Sequence, residues 1–182
     1  MSNLSTPKTI DASPTASQPL LEAIKKQLGL VPNMYRLIGN SPAALEAYLG
    51  LSHGLDKGEI DLQTRERIAL TVAKLNQCDY CLSAHTYVGK NLAKLDDAEL
   101  VANRRGTSSD PKAAAALRFA SRVVEERGGV SPADVKAVKL AGFTDSQVIE
   151  IVLHVALNTL TNYVNKVGET EIDFPQVSHK AA

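Results

Sequence analysis

No stretch of this chain alternates apolar and polar residues over the length of a strand, and most of it is written at helical spacing. "SPAALEAYLGLSHGL" opens with Ser41 placed to cap and Pro42 at the first helical position, where a missing N–H is harmless. Residues 61–75 ("DLQTRERIALTVAKL") and 78–94 ("CDYCLSAHTYVGKNLAK") carry apolar side chains three and four apart. Asp96 with Glu99, and Thr144 with Gln147, have the spacing of capping boxes. "DPKAAAALRFASRVVEE" is rich in Ala, the strongest helix former. Gly128, Gly129, Gly142 and Gly168 fall where helices are expected to stop. The pattern predicts an all-α multi-helix bundle of seven or eight helices. It holds no βαβ signal, so a thioredoxin fold is excluded despite a C-x-x-C.

A chain of 182 residues is long enough to bury one good core. The expected organisation is a flexible N-terminal tail over 1–18, a single helical domain over 19–175 and a C-terminal tail over 176–182. The first segment is rich in Ser, Thr and Pro and lacks the basic start and apolar core of a secretory signal. No apolar run reaches membrane-spanning length. The expected address is therefore the cytoplasm, where thiols stay reduced and a cysteine pair serves redox or metal chemistry more often than structure. Lys plus Arg equals Asp plus Glu at 20 each, which leaves no electrostatic footprint for nucleic acid or an anionic membrane.

The two cysteines are the only ones in the chain, and they sit in "CDYCLSAH". On a helix, Cys78, Cys81 and His85 fall within about 60° of one another. Asn76-Gln77 reads as a break, so Cys78 is expected at the start of a helix, where free N–H groups and the dipole favour a thiolate. Cys81, Ala84, His85, Val88 and Leu92 form one apolar stripe, which places His85 partly under cover. Cys78, nearer the helix start, is expected nearer solvent. One helix earlier Glu66 interrupts the stripe Leu62, Ala69, Ala73, while Arg65 and Arg67 project elsewhere. Burial raises the pKa of such a carboxylate unless it finds a partner. If the two helices pack face to face, Glu66 and His85 meet over the cysteines.

On the residues alone three readings stay open. The cysteines are two small core residues, or Cys78, Cys81 and His85 hold a metal with Glu66 as fourth ligand, or the pair does thiol redox chemistry. His154, Asn158, Thr161 and Asn165 draw a polar line along an otherwise apolar helix. It reads as locally bonded groups in a packed helix, or as a subunit interface. Residues 148–157 are apolar on nearly every side, which points to self-association. His53 and His179 read as surface residues.

The motif, with Glu66 twelve residues before Cys78, resembles the signature of alkylhydroperoxidase D in the carboxymuconolactone decarboxylase family. "VPNMYRLIGNSP" (31–42) and "LNTLTNYVNKVGETEIDFP" (157–175) resemble its peroxidase-related branch, so the likeness runs over about residues 21–175. It implies an all-α fold with the C-x-x-C at the start of a helix, a homo-oligomer such as a trimer or hexamer, and reduction of hydroperoxides without a bound cofactor. Carried over by position, Cys81 would be the peroxidatic cysteine and Cys78 the resolving one. Glu66 and His85 would be the proton relay, and an external dithiol the reductant. The family has a histidine just before its second cysteine; Tyr80 stands there in this chain, as a possible modifier of the relay.

Overall fold

The computed structural model describes residues 3–180, and among them it is built from α-helices with no strand. They are α1 (Gln18–Leu28), α2 (Asn33–Ile38), α3 (Pro42–Leu55), α4 (Leu62–Leu75), α5 (Asp79–Asn91), α6 (Asp97–Arg104), α7 (Pro111–Glu125), α8 (Pro132–Leu140) and α9 (Asp145–Gly168). The count exceeds seven or eight because of short helices such as α2, whose six residues are too few to show a periodicity. No single helix among the described residues is long and apolar enough to cross a membrane.

The helix starts follow their caps. Ser41, Asp61, Asp110, Ser131 and Thr144 each accept from a backbone N–H of the first turn. Thr144 and Gln147 complete a reciprocal capping box. Asp96 caps α6, but its expected partner does not reciprocate. The Glu99 carboxylate turns inward and accepts from Arg67 Nε at 2.9 Å, Asn103 Nδ2 at 2.9 Å, the Ser108 hydroxyl, and Ser109 N and Oγ at 3.0 and 2.8 Å. A buried charge takes the site with more donors.

α4 is the central helix, packed against α5, α6, α7 and α9. Ile68, Val72, Leu117, Phe119, Val123, Ile151 and Val155 form the main core, where the Ala run of α7 gives close approach. A second cluster joins Leu70, Leu82, Leu95 and Leu100 to the cysteines, and a third holds α1 to α3 around Leu21, Ile24 and Leu45.

Neither end of the chain hangs free over its described part, where flexible tails are expected at 1–18 and 176–182. Asn3 N donates to Gly168 O at 3.1 Å, Asn40 Nδ2 to Ser5 O at 2.7 Å, and the buried Ser17 hydroxyl to Gly39 O at 2.7 Å. At the other end Val177 N donates to Ser83 Oγ at 2.9 Å, and His179 Nδ1 pairs with Asp79 Oδ1 at 2.7 Å. Residues 1, 2, 181 and 182 lie outside the described residues. His53 is exposed as expected; His179 is half-buried, because Asp79 holds it against the first turn of α5.

Candidate active site

The site is made by the joint between α4 and α5. Gln77 takes a left-handed φ of 55°, its N–H returns to Lys74 O at 3.1 Å, and Cys78 N returns to Ala73 O at 2.9 Å. This is a Schellman closure with Gln where Gly is usual. The residue that closes α4 also opens α5. Cys78 is the N-cap, and its sulfur accepts from Cys81 N at 3.3 Å. The turn folds α5 back along α4, and the two packed faces bring His85 Nδ1 to 2.9 Å from Glu66 Oε2. Arg65 and Arg67 point away, to Asp56 and Glu99.

Both cysteines are free thiols and both are buried, Cys78 at 1% exposure and Cys81 at 3%. The expectation that Cys78 lies nearer solvent is therefore corrected. Its side chain turns under the helix start into a cluster that includes Ile172, Phe174 and Val177 from the C-terminal segment. The stripe through His85 is corrected too. Leu92 is 61% exposed, and α5 buries instead its first turn, Tyr80, Cys81, Leu82 and Ser83, together with Gly89. His85 is the half-covered member of the site, its side chain 26% exposed.

Of the two sulfurs, Cys81 is the one whose surroundings favour the thiolate. The hydrogen bond from the Cys78 thiol, acting against burial, brings Cys81 down to about 7 from an ordinary 9.0. The charge of His85 and the amides of Asn165 and Asn162 add to it. Cys78 is pushed up by the same hydrogen bond and by burial. Burial alone would hold His85 neutral, but the charge and hydrogen bond of Glu66 and the Cys81 sulfur outweigh it and raise its pKa. Among the described residues, no three His, Cys, Asp or Glu side chains converge on a point that could hold a metal ion.

Tyr80 does not face the sulfurs with its hydroxyl. The hydroxyl accepts from Met34 N at 3.1 Å, and its ring packs edge-on against Phe174 at 5.8 Å. It ties α2 and the C-terminal segment to the first turn of α5. Sequence reasoning missed Asn162, and it named Asn165 and Asn76 without assigning them to the site. Asn165 Nδ2 donates to Cys81 Sγ at 3.4 Å, and Asn76 Nδ2 donates to Asn162 Oδ1 at 3.0 Å. The polar line of α9 was the available signal. It is buried within this chain, with Asn158 and Thr161 bonded back into their own helix.

Residues 42–122 match the model of the carboxymuconolactone decarboxylase family, a span that includes α4, the joint and α5. The match covers 81 of the 182 residues and makes this part of the chain similar to that family. The chain's fold is shared by several solved structures. A peroxidase-related protein from Ralstonia eutropha JMP134, described as an alkylhydroperoxidase AhpD core, superposes with a TM-score of 0.84 at 23% identity, over 94% of this chain and 92% of that one. A peroxidase-related protein from Silicibacter sp. TM1040 gives 0.80 at 26% identity, over 93% and 91%. The debrominase Bmp8 in complex with 2,3,4-tribromopyrrole gives 0.76 at 20% identity, over 92% and 90%. In sequence, an uncharacterized protein from Haemophilus influenzae Rd is 38% identical over 63 residues, 34% of this chain. The chain spans about half the length of this curated relative.

Proposed function

We propose that the chain is a thiol-dependent peroxidase that reduces hydroperoxides through Cys81 and Cys78. The observation that carries this reading is the asymmetry of the pair. Cys81 has His85, held by Glu66 at 2.9 Å, and two amides to favour its thiolate, while Cys78 keeps its proton one helical turn away. The Cys81 thiolate attacks the distal oxygen of R–O–OH and the O–O bond breaks. The departing alkoxide takes the proton of the His85 imidazolium. The products are R–OH and a Cys81 sulfenic acid. The Cys78 sulfur then attacks the sulfenic sulfur, its proton leaves with the hydroxyl as water, and a disulfide remains. An external dithiol restores both thiols by exchange. No step calls for a bound cofactor.

The Ralstonia and Silicibacter proteins, both peroxidase-related, support this chemistry, and the debrominase Bmp8 supports another. The test is a thiol count and a sulfenate trap. One equivalent of peroxide should consume two thiols in the parent. Cys78→Ser should hold a trappable sulfenate at Cys81, and Cys81→Ser should leave Cys78 largely unoxidised. Loss of thiols to a disulfide substrate but not to peroxide would make the chain a general thiol–disulfide oxidoreductase. Labelling of neither cysteine would end the redox reading.

Assembly as a homo-oligomer belongs to the same proposal. Ile149, Val152, Leu153, Leu160, Tyr163 and Val167 leave an apolar stripe exposed along α9, on the side away from the thiols.

A further inference from the structure

The α9 side of the thiol site holds polar groups that the proposed reaction leaves unused. Asn162 and Asn165 are 0% and 3% exposed. Asn165 Nδ2 already reaches Cys81 Sγ. Asn162 is gripped from behind: its Oδ1 accepts from Asn76 Nδ2, and Asn76 O in turn accepts from Lys166 Nζ at 2.8 Å. Its Nδ2 lies close enough to Cys81 to favour the thiolate, yet it has no formed protein partner, and neither has Asn165 Oδ1. A buried donor and a buried acceptor left unmatched are costly and rare. Here both belong to the two side chains around one reactive sulfur. An oxygen added to that sulfur would meet both needs, since a sulfenic acid accepts through its oxygen and donates its O–H.

We infer that Asn162 and Asn165 are catalytic residues that cradle the oxidised sulfur, with Asn165 Nδ2 holding the Cys81 thiolate, Asn162 Nδ2 donating to the sulfenic oxygen and Asn165 Oδ1 accepting its O–H. The inference rests on the thiol-peroxidase reading for its second half only, because the thiolate half needs no peroxide. The cradle keeps the sulfenic acid in place for Cys78. It also polarises the S–O bond that breaks when the Cys78 sulfur attacks and water leaves. Preformed donors aimed at developing charge act most strongly in a site this dry.

The first experiment titrates Cys81 by pH-dependent alkylation, with Cys78→Ser as the background throughout. Asn165→Ala should cut the thiolate fraction at pH 7 about tenfold, the effect of one lost hydrogen bond to a charged sulfur. Asn165→Ser, which restores a donor, should recover part of it. Equal titration in the background, Asn165→Ala and Asn165→Ser overturns the thiolate role. The second experiment adds one equivalent of peroxide and follows the trapped sulfenate by mass spectrometry. Asn162→Ala should shorten the sulfenate lifetime several-fold, with faster passage to sulfinic acid, while Asn162→Ser restores it in part. A sulfenate that lasts equally long in Asn162→Ala overturns the cradle. If the background itself forms no sulfenate, the peroxidase reading fails, and the alkylation series still decides the thiolate role. Should Asn162→Ala fail to fold, Asn162→Ser against the background decides alone: a lifetime shorter than the background supports the cradle, and an unchanged one overturns it.

Discussion

Glu66→Gln isolates one charge. Gln keeps the volume and its carbonyl still accepts from His85 Nδ1, so the hydrogen bond at 2.9 Å survives and only the carboxylate is lost. Charge centres about 4 Å apart attract by about 4 kcal/mol at an effective dielectric near 20. Burial opposes the charged imidazole and takes part of this back, but the charge and hydrogen bond of Glu66 prevail and hold the His85 pKa above its ordinary value. Without the carboxylate, burial dominates and His85 is neutral at pH 7. Cys81 then loses its cation and titrates about one to two units above its present value of about 7. Its thiolate fraction at pH 7 falls from about one half to between about 10% and 1%, since each unit is tenfold. Peroxide reduction at pH 7 should therefore drop at least about 5- to 50-fold and recover only in part near pH 9, where Cys81 is ionised but the neutral His85 still supplies no proton to the departing alkoxide. Rate–pH profiles and alkylation titrations of both proteins supply the comparison, with melting temperatures within a few degrees. A variant that loses rate without moving the Cys81 titration would refute the argument: Glu66 would then act by position and not by charge.

Burial and the charge of Arg65 press His154 down to about 4 from 6.5, so between those values the unfolded chain binds a proton that the folded chain refuses. Stability should fall as the pH drops from 6.5 to 4, by up to about 3 kcal/mol, and His154→Gln should flatten that limb in urea titrations at pH 7 and 4.5. Burial disfavours the Glu99 carboxylate, but hydrogen bonds from Ser108, Asn103 and Ser109 prevail and hold it at about 2 against 4.5, so its contribution is complete above 4.5 and is lost as the pH falls toward 2. Glu99→Ala strands Arg67 and should cost about 3–5 kcal/mol at pH 7, read as a shifted denaturant midpoint. Light scattering at micromolar concentration should give an oligomer and Leu160→Glu a smaller species; a monomeric parent removes the assembly proposal.

Much of this site was legible because helical spacing reports which residues share a face. Cys81 with His85, and Glu66 with its apolar neighbours, could be paired once Asn76-Gln77 was read as a break. Periodicity does not report what lies opposite. Asn165 reaches Cys81 across 84 positions, so its role depends on how α9 crosses α4 and α5, and the polar line on α9 could be seen but not assigned. The same limit explains Glu99, whose cap spacing is local while its donors come from α4 and the segment after α6. It explains Cys78 as well, since the cover over the helix start is supplied by residues near 175. The joint unites these long-range facts. Gln77 at a positive φ closes α4, makes Cys78 the cap of α5, and leaves Asn76 in place to grip Asn162. One residue added there would turn α5 by about 100° and carry Cys81 and His85 away from both Glu66 and the asparagines. A two-residue break therefore sets the thiol, its cation and its amide donors in a single arrangement, which is why a motif so short implies so much of the fold around it.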